Sequence, residues 1–346
     1  MHTKSPGFLW LVPTIIFSVM LAGCDRNQPA DVAKHQPNRQ VGQAAVQEPG
    51  NQPATAPVQR PPATGPTARL PSREPAAQES AAQQDFEHEL RILHWNIESG
   101  GSHPTLIASQ LRQFADDGYH LIALSEVHEF RVYDDKFDSI DRDGRWQSVL
   151  GASGINSGRE DDRLMIFFDS SRLKLISSQE LNRYDDFILN DGRHRSPLVA
   201  HFEDRESNQD FLLLHNHLAR GNAEFRQEQA AGLREFARDS SLPLIAVGDY
   251  NFDYVFDTRQ GNPAFNQFIR DSVWRWIEPE ELIDTNWYDP ESDGIDNYPG
   301  SMLDFTFVAG PAREWSVISR VVVREGDFPD DDQTSDHRPV EVVVRY

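Results

Sequence analysis

A mixed α/β fold is what this sequence predicts, and three observations carry it. Short apolar runs of β type recur from Leu90 to Val344. Two segments, 104–117 and 223–239, instead space their apolar residues at the period of a helix. The helical segments also fall between the strand runs, so strands and helices alternate twice, which fits two packed β-sheets with helices outside.

The elements follow in order. The run 90–97 reads as a strand carrying Asn96 near its end. In 104–117, Leu106, Ile107, Leu111 and Phe114 lie at helical spacing, and Gly118 stops the helix. The continuous run 121–124 predicts a buried strand that delivers Glu126 just past its end. Residues 128–160 are polar and glycine-punctuated, with Trp146, Val149 and Leu150 as anchors. Strands are expected at 164–168, 173–177, 198–202 and 211–214, the last leading into His215-Asn216-His217-Leu218. After the helix 223–239, the strand 244–247 presents Gly248-Asp249-Tyr250-Asn251. Late strands are expected at 302–308, 315–323 and 340–344. No solenoid or propeller repeat is present.

Five short polar motifs each stand at the end of an apolar run: Trp95-Asn96-Ile97, Ser125-Glu126-Val127, the His215–Leu218 tetrapeptide, Gly248–Asn251 and Ser335-Asp336-His337-Arg338-Pro339. A sixth carboxylate, Asp304, interrupts the apolar stretch 302–308, where an unpaired charge is costly. Carboxylates, histidines and amides carried to strand ends suit metal-assisted hydrolysis of phosphate esters. Oxygen ligands hold a hard cation, an imidazole takes a proton from water, and amide donors meet charge on phosphorus.

In this order the motifs resemble the endonuclease/exonuclease/phosphatase family, which includes the deoxyribonuclease I-like nucleases. The resemblance spans residues 88–346 and implies a four-layer α/β sandwich of two mixed sheets flanked by helices. Glu126 is the first candidate metal ligand, with Asn96 and Asp336 completing or supporting the site. His337 is the candidate general base, and the resemblance supports its pairing with Asp304. Asp249 and Asn251, two apart on an extended segment, are expected to point the same way. His217 sits where the family places its histidine, to stabilise charge or act as an acid. His215 departs from the family's usual small or polar residue and is expected behind His217. The implied cofactor is Mg²⁺, with Mn²⁺ as a substitute and Ca²⁺ as a possible structural ion near Asp330, Asp331 and Asp332.

The ends of the chain suggest export. His2 and Lys4 precede an apolar stretch, 8–22, too short for a membrane span and suited to a signal peptide. Leu21-Ala22-Gly23-Cys24 resembles a bacterial lipobox, and Cys24 is the chain's single cysteine, so no internal disulfide forms. The expected organisation is a lipoprotein signal at 1–23, a lipidated Cys24 with a Pro/Gln/Ala-rich tether at 24–85, and a catalytic domain at 86–346. The tether holds too little apolar surface to offset its ordering entropy. The expected location is the bacterial cell envelope, facing the periplasm or exterior, with the membrane as a partner and a monomeric domain.

Charge bears on substrate. Residues 86–346 hold 49 acidic and 26 basic side chains, and only Lys136 and Lys174 are lysines. Such a surface repels polyanions at long range, which counts against a purely electrostatic nucleic-acid binder. Arg159, Arg163, Arg193, Arg195 and Arg220 remain as candidate phosphate contacts. Trp274, Trp276, Trp287 and Tyr288 are assigned by default to the core. The sequence favours a nuclease, with a phospholipid phosphodiesterase or small-molecule phosphatase as alternatives. It disfavours an inactive binding module, because every expected functional side chain is present.

Overall fold

The computed structural model describes residues 86–98, 101–140, 144–155, 161–325, 327–328 and 334–346. The expected signal, Cys24, the tether, Arg159 and Asp330, Asp331 and Asp332 lie outside the described residues. Among the described residues, no helix is long and apolar enough to cross a membrane.

In chain order the elements are β1 (Glu89–Asn96), α1 (Pro104–Asp116), β2 (Leu121–Val127), α2 (Phe130–Ile140), β3 (Trp146–Leu150) and β4 (Arg163–Asp169). There follow β5 (Leu173–Glu180), a small hairpin of β6 (Arg183–Tyr184) and β7 (Phe187–Ile188), β8 (Leu198–Asp204), β9 (Gln209–His217) and α3 (Ala223–Asp239). The chain then forms β10 (Leu244–Val255), α4 (Pro263–Ile269), β11 (Arg275–Trp276), β12 (Ser301–Ala309), β13 (Ser316–Val321) and β14 (Val340–Arg345).

Two six-stranded sheets result, ordered β13-β14-β1-β2-β4-β3 and β11-β12-β10-β9-β8-β5. Each is mixed: β1 pairs parallel with β2 and antiparallel with β14, while β10 pairs parallel with β9 and antiparallel with β12. Strand alternation divides the apolar residues among three cores. Leu90, Ile92, Leu213, Ile245, Val247 and Val342 meet between the sheets. Leu93, Trp95 and Leu124 face the other way and pack on Ile107, Leu111 and Phe114 of α1. Leu214, Ala246, Phe305 and Phe307 pack on Leu233 of α3 and Phe268 of α4. Three interfaces make four layers, the sandwich expected. Each large side chain removed from water contributes on the order of 1.5–3 kcal/mol.

Local signals set the ends of the helices. Pro104 opens α1, and Gly118 follows it at φ +84°, a conformation that suits glycine. At α3 the Asn222 side chain accepts the Phe225 N–H at 3.0 Å, with Glu224 in the first turn and Arg238 in the last.

The structure adds one feature and corrects two expectations. The 128–160 stretch, where the sequence marks no element, holds α2 as well as β3. Phe130, Tyr133 and Phe137 share one face of α2, and Phe137 stacks on Phe167 at 4.1 Å. Four interleaved charges, Asp134, Asp135, Lys136 and Asp138, hid that spacing. Leu106 is exposed, so the buried stripe of α1 is Ile107, Leu111 and Phe114. The Ser335–Pro339 motif precedes its strand rather than following one, because β14 runs antiparallel to β1.

Candidate active site

Along the inward faces of the central strands, alternation converts core into chemistry. On β1 the series is Leu90, Ile92, His94, Asn96; on β9 it is Phe211, Leu213, His215, His217; on β10 it is Ile245, Val247, Asp249. Strand β12 enters from the opposite direction with Asp304, Thr306 and Val308. All four strands therefore bring polar groups to the same end of the sandwich.

Just below that end lies a buried polar layer. His94 Nε2 is 3.4 Å from Thr306 Oγ1, and His215 Nε2 is 3.4 Å from Ser125 Oγ. Burial holds both imidazoles neutral, lowering His94 to about 3 and His215 to about 4. His215 thus lies behind His217, as expected.

Above this layer opens a cavity of about 410 Å³. Glu126, His217, Asp249, Asn251, Asp336 and His337 line it, and Asn96 and Asp304 sit directly behind. Every expected site residue is therefore gathered at one place. Asn96 Nδ2 donates to Glu126 Oε1 at 3.0 Å and to Asp249 Oδ2 at 3.1 Å. Its Oδ1 accepts the Glu98 N–H at 3.1 Å. His217 Nε2 lies 3.3 Å from Asp249 Oδ2 and 3.7 Å from Glu126 Oε1.

His337 and Asp304 form a buried dyad, with Nδ1 and Oδ2 2.8 Å apart. Thr285 Oγ1 accepts the Leu303 and Asp304 N–H groups, fixing the backbone beneath the carboxylate. Trp95 Nε1 donates to the His337 carbonyl at 2.8 Å, and Ser335 Oγ accepts the His337 N–H at 3.0 Å. Burial works against charge on His337, but Asp304, Asp336 and Asp249 outweigh it and hold the proton well above the ordinary range. His217 goes the other way: burial, aided by the Arg195 charge, lowers it to about 3 despite Asp249 and Glu126. Their surroundings thus push the two histidines of one cleft in opposite directions.

Backbone strain marks the same residues. Glu126 adopts φ +60° at a bulge in the β2–β4 ladder, and Asn251 adopts φ +52° where the β10–β12 register shifts. Asp249 and Asn251 do share the cavity, but through this irregularity and not through plain alternation. The Asn251 N–H donates to Asp249 Oδ1 at 2.9 Å, and its Nδ2 donates to the Leu218 carbonyl at 3.0 Å. Non-glycine residues at positive φ are uncommon and concentrate where the surrounding structure imposes them. Gly248 has φ +130°, and a Cβ there would lie 2.0 Å from the Asn216 carbonyl oxygen. Only glycine permits β10 to approach β9 so closely at the site.

Two carboxylates escaped the sequence reading. Asp162 places Oδ1 3.4 Å from His217 Nδ1 and accepts from Arg195 Nη1 at 2.6 Å. It stands before its apolar run, since β4 is antiparallel to β2 and its start, not its end, reaches the cleft. Glu98, at φ +52°, accepts the Asp336 N–H at 3.1 Å. Burial and the Asp336 charge raise its carboxyl to about 7.

The donor set fits a hard divalent cation. The carboxylates of Glu126, Asp249 and Asp336 converge on one cavity, the first two around the Asn96 amide nitrogen, and desolvation, with Glu126 and Asp249, raises the Asp336 carboxyl against the opposing His337. One set of potential ligand atoms within 4.8 Å of one another comes from Glu126, Asp162 and His217. Glu126 belongs to both arrangements. Of the candidate arginines, Arg195 is committed to Asp162, Arg163 to the Gly151 carbonyl, and Arg193 is exposed. Arg220 alone of them lines the cavity. The aromatic cluster divides: Trp274 is core, whereas Trp287 and Tyr288 line the cleft, correcting their assignment to the core.

No family model matches this sequence, and no curated protein matches it. Solved structures do share its fold. An endonuclease/exonuclease/phosphatase family protein from Bacteroides thetaiotaomicron matches at TM-score 0.54 and 18% identity, over 75% of this chain and 96% of its own. TDP2 from D. rerio, complexed with single-strand DNA product, matches at TM-score 0.56 and 16% identity, over 75% and 99%. A mannosyl-6-phosphatase from Bacteroides thetaiotaomicron matches at TM-score 0.52 and 18% identity, over 74% and 100%. This chain has the α/β-sandwich fold of the endonuclease/exonuclease/phosphatase proteins.

Proposed function

We propose that this protein is a divalent-metal-dependent phosphoesterase that hydrolyses phosphate esters with an activated water, and that its substrate is nucleic acid. The observation that carries this reading is the convergence of Glu126, Asn96, Asp249, Asp336, His217 and the Asp304–His337 dyad on one cavity. Similarity to a mannosyl-6-phosphatase and to TDP2 complexed with single-strand DNA product supports it.

Glu126, with Asn96 and Asp336, would hold Mg²⁺, which Mn²⁺ can replace. Such an ion offers Lewis-acid stabilisation of a phosphoryl oxygen and a more acidic water. The chain's own groups do the rest. The Asp304 carboxylate fixes His337 Nδ1 and leaves Nε2 directed at the cleft, 4.0 Å from Asp249 and 3.9 Å from Asp336. Neutralising those two carboxylates weakens what holds the His337 proton, so the imidazole returns toward the range of a general base. Asp249 orients the nucleophile or receives the leaving-group proton. Asn251 donates to a non-bridging oxygen, and neutral His217 donates its single ring N–H, from Nε2 on the Asp249 side.

Export, lipidation at Cys24, the 24–85 tether and residence in the bacterial envelope belong to the same proposal. They rest on the 1–24 sequence pattern. The test is the purified protein with Mg²⁺ on plasmid DNA, RNA, sphingomyelin and inositol phosphates in parallel. Cleavage of DNA or RNA supports the reading; turnover of only the lipid or the monoesters would replace its substrate.

A further inference from the structure

A second cavity, of about 270 Å³, adjoins the catalytic one, and the two share Arg220, Asn286, Tyr298 and Leu303. Among the described residues, Arg220 is the only Lys or Arg lining either of them. Its Nη1 donates to Asn251 Oδ1 at 3.0 Å and to Asp253 Oδ1 at 3.1 Å, and the side chain is about half exposed. Both bonds use one nitrogen, so Nε and Nη2 have no hydrogen-bond partner among the described residues. A guanidinium held by one edge at the mouth of a cavity presents the rest of its fork to a ligand oxygen.

Aromatic rings supply another wall. Tyr298 is 55% exposed and Tyr288 47%, on a chain whose other large rings are mostly in the core. The two rings lie 5.7 Å apart at 32°. Their segment is fastened to the catalytic one: the Trp287 N–H donates to the Asp336 carbonyl, and the Arg338 N–H to the Thr285 carbonyl, each at 2.8 Å. The aromatic wall is therefore held in register with His337. Asn286 and Asn297 add amides to the same cavity.

We infer that this side cavity binds the nucleotide unit next to the scissile phosphate, with Arg220 reading a second phosphate and Tyr298 stacking on the base. The inference rests on the phosphoesterase reading of the adjoining site. A flat ring beside a cation and amide groups matches a nucleotide. A sugar phosphate has no π face to stack, and a choline head group, which aromatic rings can bind by cation–π contact, is the alternative that competition by phosphatidylcholine vesicles tests. A single arginine also means local recognition. One cation lines the two cavities among the described residues, so oligonucleotide affinity should fall with about the first power of salt concentration.

The test uses the full-length protein with Mg²⁺ and four esters: TpT, pTpT, TpTp and methyl p-nitrophenyl phosphate. One of the two phosphorylated dinucleotides should exceed TpT in kcat/KM by at least about tenfold. Arg220→Gln should erase that ratio, and Arg220→Lys should keep part of it. Tyr298→Ala, which leaves the Arg220–Asn251 bond intact, should lower the preference for TpT over the methyl ester by about tenfold. Ratios equal in wild type and variants would overturn the inference, as would competition by phosphatidylcholine vesicles but not by nucleotides. Calorimetry with thymidine 3′,5′-bisphosphate separates the two readings. Should no ester be hydrolysed, the phosphoesterase reading fails, and binding that weakens in Arg220→Gln still supports the side cavity. No binding to wild type overturns it.

Discussion

His337 Nδ1 lies 2.8 Å from Asp304 Oδ2, both side chains buried, with Asp304 on β12 of one sheet and His337 just before β14 of the other. Such a contact fixes the ring's tautomer and orientation. Removing either partner should cost most of kcat with little change in KM. General base catalysis contributes about 10²–10⁴-fold, which sets the expected loss in His337→Ala and Asp304→Asn. The double variant should be no worse than His337→Ala alone; additive losses would show that the two act separately.

A second prediction concerns the backbone at Gly248. Its φ of +130° and the 2.0 Å approach to the Asn216 carbonyl leave no room for a methyl group. Gly248→Ala should destabilise the fold by at least about 2 kcal/mol and disturb Asp249 and His217 together. Thermal unfolding reads the first effect and residual activity the second. A variant of unchanged stability and activity would contradict the structure at this point.

The polar layer beneath the cleft predicts acid sensitivity. His94 and His215 are lowered by burial to about 3 and about 4, whereas the unfolded chain protonates them near 6.5. The unfolded state then binds more protons below that pH, so stability present above about 6.5 is lost as pH falls toward 4. Each histidine steepens the loss by up to about 1.4 kcal/mol per pH unit. His215→Gln should flatten the profile of stability against pH between about 6.5 and 4. An unchanged slope would mean that His215 is not held neutral.

Much of this site was legible because alternation is rigid. Once Leu90 and Ile92 face the core, His94 and Asn96 must follow on the same face, and the same argument carries Leu213 to His217 and Val247 to Asp249. Antiparallel strands hid the rest. Asp162 precedes its apolar run, so a search for acids after such runs passed it by. Glu98 reaches the cleft through a positive φ just past β1 that no periodicity predicts, whereas the motifs did mark Glu126 and Asn251. Helix α2 was obscured by its charges, and Trp287 and Tyr288 by the general rule that large aromatics pack inside. The structure places them on the wall of a cleft.

The proposed anchor makes a separate prediction. Cys24→Ser should abolish incorporation of a lipid label and release the protein from the membrane fraction. Wild-type protein that takes up no label, together with unchanged fractionation of the variant, would remove the lipobox reading and leave the catalytic domain untouched.

The most direct test of the metal-dependent mechanism is phosphate ester hydrolysis by wild type and Glu126→Gln, with Mg²⁺ and with excess chelator. Glu126 touches Asn96 in the cleft and supplies no core volume, so Glu126→Gln should keep its thermal transition. The account predicts that chelator abolishes wild-type activity, that Mg²⁺ restores it, and that folded Glu126→Gln is inactive throughout. Full wild-type activity in excess chelator, or full activity of Glu126→Gln, would contradict it.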